Sequence, residues 1–346
     1  MLDNSILVYL SLAYNTFKSI NIIAICMPKL LVSGAINWDT TIIVDKFPRA
    51  GEEVKANNVI SVPGGKGGNT ASAARRILDD TVGIIGVLGN DDIAKKQLDI
   101  FDKEGIDTNL VLRKDIPSGQ AYVIVDKKGE NIILTYKAAN HMIKPDDIER
   151  EDFIESIDNA KMIIVIDPPL QVADKLIDIA YRKHKRIIFM PALLTKEGLD
   201  SLSDSLKKAS FIIVNEHEIQ ALSDEEDVIK ASTDLSDRFG RIITTLGNKG
   251  CIFCYNKKVA KIPAVDLKLF DLKSISTVGA GDTFTGAFGA YLLRGFGEIE
   301  SLFLASIAAA LKTTKYGPRE SPTYDEVKHY LNDPRMDEVY KKIKFI

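Results

Sequence analysis

The run Thr277-Val278-Gly279-Ala280-Gly281-Asp282-Thr283-Phe284-Thr285-Gly286-Ala287-Phe288 carries the strongest chemical signal in the chain. Gly279, Ala280 and Gly281 permit close backbone approach, and the small and apolar residues after them read as a helix. Free N–H groups at the start of such a helix form an anion hole. Asp282 sits where the helix begins. It either caps that terminus or takes a proton from an attacking hydroxyl beside the bound anion.

A second glycine cluster, Pro63-Gly64-Gly65-Lys66-Gly67-Gly68-Asn69-Thr70-Ala71, is not a P-loop, because Lys66 is followed by Gly67 rather than by Ser or Thr. It also lacks the strand-first glycine fingerprint of a dinucleotide fold. Alone it reads equally as a hinge or a ligand loop. Paired with Asn37-Trp38-Asp39 at the end of the first strand, it offers carboxamides, a carboxylate and open backbone to several sugar hydroxyls. Asn215-Glu216-His217-Glu218 ends an apolar strand, FIIVN. Asn215 and Glu218 there suit hydrated Mg²⁺ beside phosphates, or a simple capping box. Thr245-Leu246-Gly247-Asn248-Lys249-Gly250 ends the next strand in a turn.

The supporting elements are legible as an alternation. LLVSGAI closed by Asn37, VGIIGVLG (82 to 89), KMIIVID (161 to 167), RIIFM (186 to 190), FIIVN (211 to 215) and RIITTLG (241 to 247) read as buried strands. Helices are expected near Gly67 to Leu78, Asp92 to Glu104, Val172 to Arg182, Lys196 to Lys208 and Thr323 to Leu331. That order predicts a mainly parallel sheet covered by helices. Two stretches, 41–62 and 118–136, carry strands without helices and read as a small β-sheet lid.

Composition excludes other classes. The 346 residues are 45% hydrophobic and 27% charged, with 45 Lys+Arg against 48 Asp+Glu. A net charge of -3 without a long basic run leaves no footprint for nucleic acid or an anionic membrane. Three cysteines, Cys26, Cys251 and Cys254, are too few for a disulfide framework and suit a reducing, cytoplasmic compartment. Cys251 and Cys254 lie three apart on a strand-like run, so they point to opposite faces and make no metal half-site. Residues 1–28 read as a non-native or disordered leader, the start at Met27 being the expected one, and residues 333–346 as a charged tail.

From about Lys29 to Leu331 the chain resembles the ribokinase branch of the PfkB carbohydrate kinase family. GGKGGNTA, the N-x-x-E element, TLGNKG and GAGDTF occur in that family's order, and the hairpin PSGQAYVIVDKKGENII with Ala139-Asn140-His141 is similar too. The resemblance implies a ribokinase-like α/β fold, a mainly parallel central sheet flanked by helices with a small β-sheet lid, as one kinase domain over 29–332. It implies ATP- and Mg²⁺-dependent transfer of a γ-phosphoryl group to a hydroxyl of ribose or a similar pentose. By the same resemblance Asn37, Asp39, Gly64, Gly65, Lys66 and Asn69 contact the sugar. Asn215 and Glu218 form the magnesium and phosphate element; Thr245, Gly247 and Gly250, with Asn215, contact the nucleotide. Gly279, Ala280 and Gly281 form the anion hole and Asp282 is the catalytic base.

A nucleoside kinase of the same fold is the alternative, followed by a non-catalytic sugar-binding regulator. The chain departs from its relatives' pattern at Ser276-Thr277-Val278, where family members commonly have Asp-Thr-Thr. In ribokinases that stretch helps build a monovalent-cation site, partly from backbone carbonyls, so potassium is expected to matter little here. Gly317-Pro318 replaces a common Gly-Ala, and Ser306 stands where ribokinases often carry an adenine-side Asn. The paired Gly64-Gly65 is expected to act as a lid hinge, and the lid edge to pair two copies into a homodimer.

Overall fold

The computed structural model describes residues 27–128, 130–191, 196–223 and 225–346. Most of the expected leader, residues 1–26, and Gly129 in the expected hairpin turn lie outside the described residues. Pro28, counted in that leader, is buried.

Among the described residues fifteen strands form two sheets: β1 Leu30–Gly34, β2 Asn37–Val44, β3 Ala56–Gly64, β4 Val82–Gly89, β5 Ile106–Asp107, β6 Val111–Lys114, β7 Gly119–Val125, β8 Asn131–Tyr136, β9 Met162–Ile166, β10 Arg186–Met190, β11 Phe211–Asn215, β12 Ile242–Thr245, β13 Cys251–Tyr255, β14 Lys258–Ile262 and β15 Lys344–Phe345. Helices of eight or more residues are α1 Lys66–Ile77, α2 Asp92–Glu104, α3 Glu151–Asn159, α4 Leu170–Arg182, α5 Glu216–Ser223, α6 Val228–Phe239, α7 Ala280–Leu293, α8 Glu298–Lys312 and α9 Tyr324–Leu331.

The large sheet runs β15-β14-β13-β12-β11-β10-β9-β1-β4-β5, with β6 also on β4. From β4 to β12 its pairings are parallel, and β13, β14 and β15 add an antiparallel edge. Strand alternation divides the core. Leu30 and Val32 face the layer holding α7 and α8, while Leu31 faces the layer holding α3, α4 and α6. Both faces are covered, which is why these strands read as continuous apolar runs.

Cys251 and Cys254 fall on opposite faces of β13, each in a different core layer. The helix expected over Lys196 to Lys208 is two short helices, Lys196–Ser201 and Ser203–Lys208. Residues 333–346 are more than a charged tail. A helix, Arg335–Tyr340, buries Met336 and Val339, and β15 pairs with β14. Two apolar side chains one turn apart anchor an otherwise charged segment.

β1 lies between β4 and β9, so the chain reverses its direction of travel across the sheet there. Such a switch point opens a crevice at the carboxyl ends of the strands. Over it sits the small sheet, ordered β3-β2-β7-β8, built from the two expected insertions. Among the described residues no helix is long and apolar enough to cross a membrane.

Candidate active site

Asn37 and Asp39 open β2, a central strand of the small sheet, rather than closing β1 of the large one. Two residues apart, they point to the same face. Asn37 pairs with Gly64 on β3 and Gly119 on β7. Its Oδ1 accepts from Asn140 Nδ2 at 2.7 Å, and its carbonyl accepts from Gln97 Nε2 at 2.6 Å. Asn140 also exchanges two bonds with the backbone of Ile36. The turn from the large sheet into the small one is therefore pinned by side chains.

A Cβ on Gly64 would lie 2.0 Å from Asp39 Oδ2. Gly65 has φ 84°, and its Cβ would meet Ala35 O at 2.5 Å. A Cβ at either position would clash in this conformation, so both glycines allow a close packing that alanine would disturb. Asp39 Oδ1 is buried without a hydrogen-bond partner among the described residues. Burial pushes the Asp39 carboxyl up to about 6; Asp282 adds to the shift, while Arg319 and the Gly65 N–H oppose it. A buried acceptor left without a donor is suited to a ligand hydroxyl.

Helices α1 and α7 cross closely, a Cβ on Gly286 falling 2.4 Å from Thr70 O. That approach sets Asn69 against Asp282, whose Oδ2 accepts from Asn69 Nδ2 at 2.8 Å. Asp282 is 8% exposed. Burial raises its pKa to about 6; the Asn69 bond, Lys66 and Lys312 pull it down, and Asp167 pushes it up. Lys66 Nζ in turn lies 3.4 Å from Asp167 Oδ2. A carboxyl poised near neutrality suits a general base.

On the other side of the α7 start lies a cleft of about 1420 Å³. Asn215, Thr245, Gly247 and Gly250 line it, together with Ala280 and Gly281. Asn215 and Thr245 are register partners on parallel strands. The Ala280 N–H donates to Thr277 O at 3.1 Å and the Thr283 N–H to Gly279 O at 2.9 Å. Of the N–H groups at this helix start, that of Ala280 is therefore used within the turn, while those of Gly281 and Asp282 have no backbone acceptor in the first turn and are open to an anion. Gly279, at φ 83°, instead makes room for Pro318, whose carbonyl a Cβ would meet at 2.2 Å.

Glu218 does not line the cleft. Its Oε2 accepts from the Asn215 N–H and its own N–H donates to Asn215 Oδ1, both at 2.9 Å, which is the capping geometry. Among the described residues no three His, Cys, Asp or Glu side chains converge to hold a metal ion. His217 and Ser306 do line the cleft.

Sequence reasoning missed two residues that border the site. Arg319, 3% exposed, donates to Gln97 Oε1 at 2.8 Å and Gly64 O at 2.7 Å, with its guanidinium over the Phe101 ring at 4.6 Å. Asp167 directly follows β9 in the left-handed region, φ 54°, and faces Lys66. Neither lies in a recognisable motif. The position of Asp167 directly after a buried strand was the only available signal, since ligands bind at strand carboxyl ends.

Comparison with known proteins places these features in context. The pattern described as pfkB family carbohydrate kinase matches residues 27–324. A ribokinase from Haemophilus influenzae is 32% identical over 313 residues, spanning 87% of this chain and 98% of that protein. Among solved structures, a ribokinase from Thermotoga maritima superposes with a TM-score of 0.77 at 27% identity, covering 88% of this chain and 99% of that one. A Cryptococcus neoformans ribokinase in complex with ADP gives 0.75 at 27% identity, covering 88% and 100%.

Proposed function

The chain belongs to the pfkB family of carbohydrate kinases, ATP-dependent enzymes that phosphorylate a sugar hydroxyl, and from that premise we propose that its acceptor is ribose or a closely similar pentose. One observation carries the assignment of the reacting centre. Asp282 directly follows Ala280 and Gly281, which line the cleft, while its carboxylate accepts from Asn69 and lies close enough to Asp39 to raise that carboxyl's pKa.

In this reading the nucleotide occupies the cleft along Asn215, Thr245, Gly247 and Gly250, with its terminal phosphate at the α7 N-terminus. Backbone N–H groups and the helix dipole stabilise charge there. The sugar lies under the small sheet. Asp39 Oδ1 accepts from a ring hydroxyl, and Asn37, Gly64, Gly65, Lys66 and Asn69 shape the chamber. Asp282 takes the proton of the attacking hydroxyl through the carboxylate that Asn69 orients. Positioning supplies most of the acceleration.

Magnesium would neutralise charge on the transferring phosphoryl group. An ion that keeps several waters and takes phosphates as ligands needs no all-protein cage, which accords with the donor set here. Asn215 in the cleft, held by Glu218 behind it, suits the ion's water shell.

We assign the lid as the contact of a homodimer. β8 is exposed along its whole length and forms an edge of the small sheet; such edges pair unless protected. Sedimentation equilibrium tests this, a concentration-independent monomer contradicting it. Two free, buried cysteines suit a reducing compartment such as the cytoplasm. Acceptor identity is tested with a panel of pentoses, 2-deoxypentoses, ketohexoses and nucleosides under coupled ADP detection. The expected result is the highest kcat/KM for ribose, and a nucleoside optimum would overturn the assignment.

A further inference from the structure

Lys312, the last residue of α8, is 0% exposed. Its Nζ donates to the carbonyls of Ser276, at 3.2 Å, and Lys315, at 3.4 Å. Burying an ammonium costs several kcal/mol unless partners compensate it, and these hydrogen bonds go to backbone carbonyls. Burial holds its pKa below the usual lysine value, while Glu320 and Asp282 oppose that shift.

The carbonyls belong to the segments that position the α7 start. Ile275 and Ser276 N–H both donate to Thr313 O, at 2.7 and 3.0 Å. Ser276 is followed by Thr277, whose carbonyl accepts from Ala280 N–H, and by Gly279, which packs on Pro318. The ammonium thus fastens the loop before the anion hole to the end of α8, and its positive charge is one of those drawing down the Asp282 pKa.

A free potassium ion fits poorly here. It needs oxygens, preferably one of them charged; Ser276 supplies no carboxylate, and its carbonyl already holds an ammonium. We propose that the Lys312 ammonium is a built-in monovalent cation, a positioning group that fixes the Ser276–Gly279 loop and makes phosphoryl transfer independent of a free monovalent ion. The proposal rests on the kinase reading of the site. Wild-type sugar phosphorylation measures that reading, whereas its cation dependence, and a melting shift that needs no turnover, measure this one.

The experiment compares wild type, Lys312→Ala and Lys312→Met in potassium chloride and in tetramethylammonium chloride at equal ionic strength. Wild-type kcat is expected to differ less than about twofold between the salts, with the same Tm. Lys312→Ala, which opens a space lined by carbonyls, is expected to lose about tenfold in kcat without potassium. Potassium should restore most of it and raise Tm by about 2 °C, because an ion bound only to the native state stabilises it. Lys312→Met fills the space without charge and is expected to stay slow in both salts. Strong potassium activation of wild type overturns the proposal. So does a Lys312→Ala enzyme that is fast without potassium or is not restored by it, and so does a Lys312→Met enzyme of wild-type speed. Should Lys312→Ala not fold, Lys312→Met decides with the wild type: slow in both salts supports the proposal, and wild-type speed overturns it.

Discussion

Asn69 Nδ2 donates to Asp282 Oδ2 at 2.8 Å, joining α1 to the first turn of α7 across 213 positions of sequence. The bond favours the ionised carboxylate, against the burial that disfavours it. Wild-type kcat/KM is expected to fall as pH drops through about 6, where Asp282 and Asp39 both take up protons. These carboxyls interact, so the limb belongs to the pair. In Asn69→Ala the stabilising donor is gone, and the limb should move to higher pH. A pH–rate profile checks this; an unmoved limb would show that Asn69 does not tune Asp282.

Asp39→Asn should raise Tm above neutrality while costing about tenfold or more in sugar affinity, since a charged acceptor is lost. The stability effect has a definite sign. The folded-state pKa of Asp39, about 6, lies above its usual 3.8, so the folded protein binds more protons than the unfolded chain between those values. Its ionisation therefore lowers stability as pH rises through that window. The Tm gain of the variant should be full above pH 6 and vanish below 3.8. A gain that persists in acid would exclude this cause.

Two glycines should respond oppositely to alanine. A Cβ on Gly65 strikes Ala35 O at 2.5 Å from a left-handed backbone, so Gly65→Ala is expected to lose about 1–3 kcal/mol of stability. A Cβ on Gly281 meets nothing within 4 Å. Gly281→Ala should keep wild-type Tm but raise the KM for ATP severalfold, because the methyl enters the phosphate end of the cleft. Equal melting losses would contradict the placement of open space at Gly281.

Glu218→Gln retains an acceptor for the Asn215 N–H and removes the charge. The midpoint of a magnesium titration of activity is expected to rise severalfold, with Tm little changed. An unchanged titration would leave Glu218 with its capping role alone.

The site's motifs were readable because each is local. GAGD needs small residues and a carboxylate at one helix start, and the apolar strands that aim the loops advertise themselves by composition. What stayed hidden was made by distant packing. Arg319 reaches Gly64 O and Gln97, and Asn140 reaches Asn37, through folds of the chain that no spacing encodes. The close packing at Gly64 and Gly65 is hidden for the same reason, since only the assembled turn brings Asp39 and Ala35 against them. β15 is two residues long and exists only by pairing with β14. Helix α8 is buried on nearly every side and so lacks the amphipathic stripe that marks a surface helix.

The central claim, that Asp282 is the base between sugar and nucleotide, is tested most directly by Asp282→Asn in single-turnover phosphorylation of ribose, with ATP and sugar affinities measured by calorimetry. The amide keeps the shape and the contact with Asn69 but cannot accept the proton. The expected result is a rate lower by about 10²- to 10⁴-fold, with both affinities within about tenfold of wild type. A rate near that of wild type would remove Asp282 from the base role.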